Sequence, residues 1–102
     1  MRKIMLFCSA GMSTSMLVKK MQEAASELNY DTDIAAYPLA EASEVGKTAD
    51  ILLLGPQVRF SLDRVKKQFP DKIVKVISPQ HYGMMNGAAV IKQVQEALGD
   101  TH

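Results

Sequence analysis

Four short apolar runs alternate with four stretches in which apolar residues recur every three or four positions. Residues 3–7 are apolar without alternation, as expected for a parallel strand covered on both faces. Leu17, Met21, Ala24, Ala25 and Leu28 then form one helical stripe, predicting a helix from Ser13 or Thr14 to Leu28 with Asn29 as its stop. Residues 31–37 read as a second, weaker strand ended by Pro38, followed by a short helix over 39–48 with Leu39, Ala42 and Val45 inward. Ile51-Leu52-Leu53-Leu54 is the clearest buried strand. Val58, Leu62, Val65 and Phe69 give a third helix closed by Pro70, and residues 73–77 a fourth strand. Residues 78–87 read as a loop, Val90, Ile91, Val94, Ala97 and Leu98 as the last helix, and 99–102 as a frayed tail.

Strand followed by helix, four times over, predicts an α/β fold: an open, four-stranded parallel sheet with helices on both faces, three layers in all. With strand order 2-1-3-4, the order reverses between strands one and three, and ligands bind such sheets beyond the carboxyl ends of the strands at that reversal. The loops expected there are residues 8–15 and 55–57, with 78–83 nearby.

Composition sets limits on function. The 102 residues fit a single domain over 1–102, and 47% hydrophobic residues suffice for one core. A net charge of +1, twelve Lys and Arg against eleven Asp and Glu, argues against nucleic-acid binding driven by bulk charge. No apolar run approaches the roughly 20 residues of a membrane helix. The run after Met1-Arg2-Lys3 is too short for a signal peptide and leads straight into a loop and helix. One cysteine excludes an internal disulfide, and a reducing cytoplasm is the expected location. No His, Cys or carboxylate set has metal spacing, so neither metal nor cofactor is expected.

The candidate chemistry sits in Cys8-Ser9-Ala10-Gly11-Met12-Ser13-Thr14-Ser15. The N–H groups opening a helix lack internal partners and lie at the positive end of its dipole, so a small-residue loop between strand and helix suits phosphate. The same field favours a thiolate at Cys8. A cysteine at a strand end is otherwise a small buried hydrophobe, and Ser or Thr there otherwise serves as a cap. The loop as a whole favours the nucleophile. Low-molecular-weight tyrosine phosphatases place Cys, five residues, Arg, then Ser or Thr on this kind of fold. Here Thr14 stands at the arginine position and Ser15 keeps the hydroxyl. Without an arginine to clamp the transferring group, hydrolysis should be poorly catalysed, which suits a phosphoryl carrier better than a phosphatase. Gly55-Pro56-Gln57 is either a turn and helix start or a second contact, with Gln57 or its backbone meeting phosphate or partner. Met12 either serves a docking surface or tucks into the core. His81 receives no role.

Residues 6–15, Leu6-Phe7-Cys8-Ser9-Ala10-Gly11-Met12-Ser13-Thr14-Ser15, closely resemble the start of the enzyme IIB components of the lactose/cellobiose (chitobiose) class of the bacterial sugar phosphotransferase system. Leu53-Leu54-Gly55-Pro56-Gln57 and Tyr82-Gly83 are similar to further family segments. The resemblance implies that Cys8 accepts a phosphoryl group from a phosphohistidine on enzyme IIA. It then passes the group to a disaccharide held by membrane enzyme IIC. On the same resemblance, the amides of residues 9–15 hold the phosphate, with Gly55, Pro56, Gln57 and Tyr82 as partner or second-loop contacts. The competing expectation is a stand-alone cysteine-dependent phosphatase or arsenate-reductase-like enzyme. A second competing expectation is a non-catalytic flavodoxin-like interaction module.

Overall fold

A computed structural model of the chain describes residues 2–8 and 12–100, with the side chains of 12–14 excepted. Four parallel strands, β1 (Arg2–Cys8), β2 (Thr32–Pro38), β3 (Ile51–Leu54) and β4 (Ile73–Val76), form one sheet in the order β2-β1-β3-β4. The parallel pairing is what the alternation predicts, and the strand order is the expected one.

Pleating sorts the strand residues between two cores, because successive side chains leave opposite faces. Ile4 and Leu6 of β1 and Ile51 and Leu53 of β3 pack with Leu17, Met21 and Ala25 of α1 (Met12–Glu27). Val90, Ile91 and Val94 of α5 (Gly87–Leu98) complete that layer. Met5, Phe7, Leu52, Leu54 and Val74 face the other way, against Ala42 of α2 (Ala42–Val45), Val58, Phe69 and Val65 of α3 (Leu62–Gln68). Ile4, Leu6, Phe7 and all of β3 are 0% exposed, which is why those runs carry no polar alternation. Each such side chain contributes about 1.5–3 kcal/mol by leaving water.

Several local features differ from the sequence expectation. The helix expected over 39–48 is three pieces: 3₁₀ turns at Leu39–Glu41 and Gly46–Thr48 on either side of α2. The helix expected from Val58 begins as a 3₁₀ segment, Pro56–Ser61, with non-helical angles at Val58, before α3. Leu28 falls outside the apolar stripe and is exposed, because α1 ends at Glu27 and Asn29 takes a left-handed φ of 54° that turns the chain. The loop expected over 78–87 contains α4 (Pro79–Gly83), capped by the Ser78 hydroxyl, which accepts from the Gln80 N–H at 3.2 Å. Asn86 caps α5 in the same way by accepting from Ala89 N–H.

The expected frayed tail is tied down as far as Asp100. Arg2 donates from Nε and Nη2 to the two carboxylate oxygens of Asp100, both at 2.7 Å, and the Tyr30 hydroxyl donates to the same carboxylate. A left-handed Gly99 (φ 73°) closes α5 and turns Asp100 back towards β1. This fork joins the first strand, the α1–β2 connection and the end of the last helix, at the opposite end of β1 from Cys8.

Candidate functional site

Cys8 closes β1, at the carboxyl end of a central strand and at the point where strand order reverses. It is 1% exposed. Its register partner on β2 is Pro38. Alternation along β1 carries it to the face of Ile4 and Leu6, beneath α1. The helix begins at Met12, so only three residues separate the thiol-bearing strand from a helix N-terminus. That connection, Ser9, Ala10 and Gly11, lies outside the described residues, as do the side chains of Met12, Ser13 and Thr14. Ser15 is described and exposed, on the first turn of α1.

The second expected segment lies against the first. The Gly55 N–H donates to Phe7 O at 2.8 Å, which locks the end of β3 to the residue before Cys8. A Cβ built on Gly55 would lie 3.6 Å from Cys8 Cβ and 2.9 Å from Gln57 Oε1. The Gln57 carboxamide therefore folds back over Gly55 on the side of Cys8. Gly55 itself is extended (φ −62°, ψ 152°), so its value here is small size rather than unusual backbone angles. Pro56 opens the 3₁₀ segment at a position where its missing N–H costs nothing.

The third segment is arranged differently from the expected loop. Tyr82 is on α4 and 6% exposed, in the core with Leu17, Met21 and Val90. Tyr82, expected as a partner or second-loop contact, leaves little of its ring exposed. His81 is half-buried and lines a cleft of about 620 Å³ with Val76, Ser78, Ala89, Lys92 and Gln93, beside β4 and separated from β1 by β3. Its Nδ1 has no hydrogen-bond partner among the described residues. No group of three metal-ligating side chains occurs among the described residues, and no described helix is long and apolar enough to cross a membrane.

Two residues escaped the sequence reading. Gly87, assigned to a loop, is where α5 meets α1. A Cβ there would fall 2.3 Å from the backbone carbonyl carbon of Lys20. Phe60 is 80% exposed in the segment following Gln57. Its signal was present: it is an aromatic residue off the apolar stripe of Val58, Leu62, Val65 and Phe69.

The chain matches the family described as "PTS system, Lactose/Cellobiose specific IIB subunit" over residues 3–93. It is 39% identical over 95 residues to the "PTS system oligo-beta-mannoside-specific EIIB component" of Bacillus subtilis (strain 168), covering 91% of this chain and 92% of the relative. It is 40% identical over 102 residues to the "PTS system galactose-specific EIIB component" of Lactococcus lactis subsp. cremoris (strain MG1363), covering 93% and 94%. Among solved structures, a cellobiose-specific phosphotransferase IIB component from Borrelia burgdorferi superimposes with a TM-score of 0.79 at 36% identity, covering 97% of this chain and 93% of that one. The lactose-specific IIB domain from Streptococcus pneumoniae gives a TM-score of 0.84 at 15% identity, covering 94% and 96%, a likeness of fold.

Proposed function

The chain belongs to the lactose/cellobiose-specific IIB family of the phosphotransferase system, and on that premise we propose that residues 1–102 act as one phosphocarrier domain with Cys8 as the phosphorylated residue. The observation that carries the reading is the position of Cys8. The only cysteine ends a central strand at the strand-order reversal, separated by three residues from a helix N-terminus, with Gly55 against it and the Gln57 carboxamide against Gly55.

In the first transfer, the Cys8 thiolate attacks the phosphorus of a phosphohistidine on enzyme IIA. The S–P bond forms as the N–P bond breaks, and the N–P electron pair returns to the imidazole. In the second, a hydroxyl of a disaccharide of the cellobiose, chitobiose or lactose type, held by membrane enzyme IIC, attacks the same phosphorus. The O–P bond forms, the thiolate leaves, and the hydroxyl proton passes to a base on the transporter side. Backbone N–H groups of residues 9–15, with hydroxyls among Ser9, Ser13, Thr14 and Ser15, stabilise charge on the phosphoryl oxygens in both transfers. Ala10 and Gly11 contribute backbone and small size to that cradle, and Met12 contributes its backbone. Gln57 supplies a neutral carboxamide from the facing segment.

The absence of an arginine at Thr14 fits a carrier. A strong cationic clamp would speed transfer to water as well as to a sugar. Transient partner contacts follow from the need for both partners to reach one sulfur, so each interface should be at the small end of specific complexes, under about 1,200 Å². The chain would work in the cytoplasm, visiting the membrane only through enzyme IIC.

The test is sugar phosphorylation by membranes bearing a IIC of this class, supplied with phosphoenolpyruvate, the general phosphocarriers, IIA and the purified chain. Sugar phosphate should form with the wild type and be lost with Cys8→Ser. Full activity of Cys8→Ser would overturn the assignment. Turnover of free phosphate esters or arsenate without any partner would favour the phosphatase-like alternative instead.

A further inference from the structure

Four large apolar side chains are strongly exposed among the described residues: Met16 (61%), Leu28 (57%), Phe60 (80%) and Met84 (69%). Leu28 lies just past the far end of α1. The other three follow the carboxyl ends of β1, β3 and β4, the end of the sheet that holds Cys8. Met16 and Phe60 are the telling pair. Met16 is on α1, in the layer above one face, and Phe60 is in the segment Pro56–Ser61, whose Val58 packs on the other face. They therefore flank the ends of β1 and β3 from opposite layers.

Phe60 is not exposed for want of a fixed backbone. Its segment is pinned by the Gly55 N–H to Phe7 O, packs against β1 and β3, and buries Val58. The adjacent Ser61 is 3% exposed while Phe60 is 80% exposed, the inverse of what transfer from water favours for a hydroxyl and a phenyl ring. Rigid exposed aromatic residues of this kind act as interface anchors, since they bring large apolar area with few rotamers to freeze. The charge beside the pair is mostly positive: Lys19 and Lys20 lie one turn beyond Met16, Arg59 precedes Phe60, and Asp63 and Arg64 follow it by three and four residues.

Resting on the phosphocarrier reading, we propose that Phe60, with Met16, is the apolar anchor for the phosphohistidine-bearing donor protein, and that Lys19, Lys20 and Arg59 meet carboxylates around an apolar depression on that donor. The two layers would straddle the donor's histidine over Cys8. A cationic, apolar patch could also meet anionic lipid, but lipid carries no phosphohistidine to present to the sulfur, so the donor protein is the occupant chosen.

The experiment measures the initial rate of Cys8 phosphorylation by quenched intact-mass spectrometry as a function of phosphorylated IIA concentration. Wild type, Phe60→Ala, Met16→Gln, Arg59→Gln and the control Leu28→Gln are compared. Phe60→Ala should raise the half-saturating donor concentration about 10- to 100-fold, with a smaller effect on the saturated rate. Met16→Gln should act in the same direction. Arg59→Gln should weaken the salt dependence, and Leu28→Gln should behave as wild type. Melting curves of the variants separate docking from folding. If the wild type is phosphorylated and Phe60→Ala keeps its half-saturation, the anchor is overturned and the carrier reading stands. If Phe60→Ala abolishes binding to phosphatidylserine vesicles while donor half-saturation is unchanged, the patch is a membrane contact and the proposal is wrong. A wild type that accepts no phosphoryl group overturns the carrier reading, and the anchor with it.

Discussion

Gly87 is a point of close approach between α5 and the backbone of α1, and replacing it with alanine is a sharp test of how that layer is packed. The added Cβ would meet Lys20 C at 2.3 Å, Lys20 O at 2.5 Å and Met21 N at 2.5 Å, whereas ordinary contact begins near 3.4 Å. These are backbone atoms, so no side chain can rotate out of the way, and the helices must separate by about an ångström. A gap of that size forfeits roughly a quarter to a half of the attraction across each contact it opens. The contacts at risk include Leu17 and Met21 against Val90, Ile91 and Val94, all 0% exposed. Overpacking of a filled core costs about 1–3 kcal/mol, and alanine recovers at most about 1 kcal/mol through lower backbone entropy in the unfolded chain. A net loss of about 1–2 kcal/mol should lower Tm by about 4–16 °C in a domain of this size. Gly83→Ala is the matched control. Nothing lies within 4 Å of its added Cβ, so it should leave Tm unchanged or raise it. Thermal unfolding followed by far-UV circular dichroism gives both values. A Gly87→Ala protein as stable as wild type, or two glycine variants that behave alike, would refute the reasoning.

Two further outcomes are expected. Burial, and then the hydrogen bond to Asp100, push the Tyr30 hydroxyl up to about 12. The fold favours the neutral phenol, so its contribution is complete below the ordinary tyrosine value of about 10 and is lost as pH rises through about 12. Tyr30→Phe should flatten the fall in stability between those values, and an unchanged slope in urea titrations would count against the Arg2–Asp100–Tyr30 fork. Leu53→Ala, at a fully buried position of β3, should cost about 2–5 kcal/mol by chemical denaturation, and a cost under about 1 kcal/mol would mean that the core is not packed as described.

The fold was largely legible because its determinants are local in the sequence. Ile51-Leu52-Leu53-Leu54 is apolar on both faces because two layers cover it, and β3 spans those four residues. Parallel strands followed from the strand–helix alternation, and the expected order 2-1-3-4 is the one observed. The segment with Gly55 and Gln57 was placed beside Cys8 by topology, and the Phe7–Gly55 hydrogen bond puts it there. What escaped depends on contacts between distant positions. Nothing near Gly87 in sequence reports that Lys20 passes over it. Asp100 looks like part of a polar tail until Arg2 and Tyr30, far away in the chain, are brought to it. Tyr82 read as a loop residue because Pro79 and Gly83 suggest a turn, whereas Pro79 opens α4 and the ring turns inward. Phe60 was passed over because periodicity identifies what is buried and says little about which exposed residue matters.

The central claim is that one sulfur carries the phosphoryl group. Intact-mass spectrometry after incubation with phosphoenolpyruvate, the general phosphocarriers and a cellobiose-class IIA addresses it most directly, with peptide mapping to locate the group. One added phosphoryl group on Cys8, absent from Cys8→Ser, is the predicted result. No added mass in the presence of a demonstrably phosphorylated donor, or a group mapped to His81 or any residue other than Cys8, would contradict it.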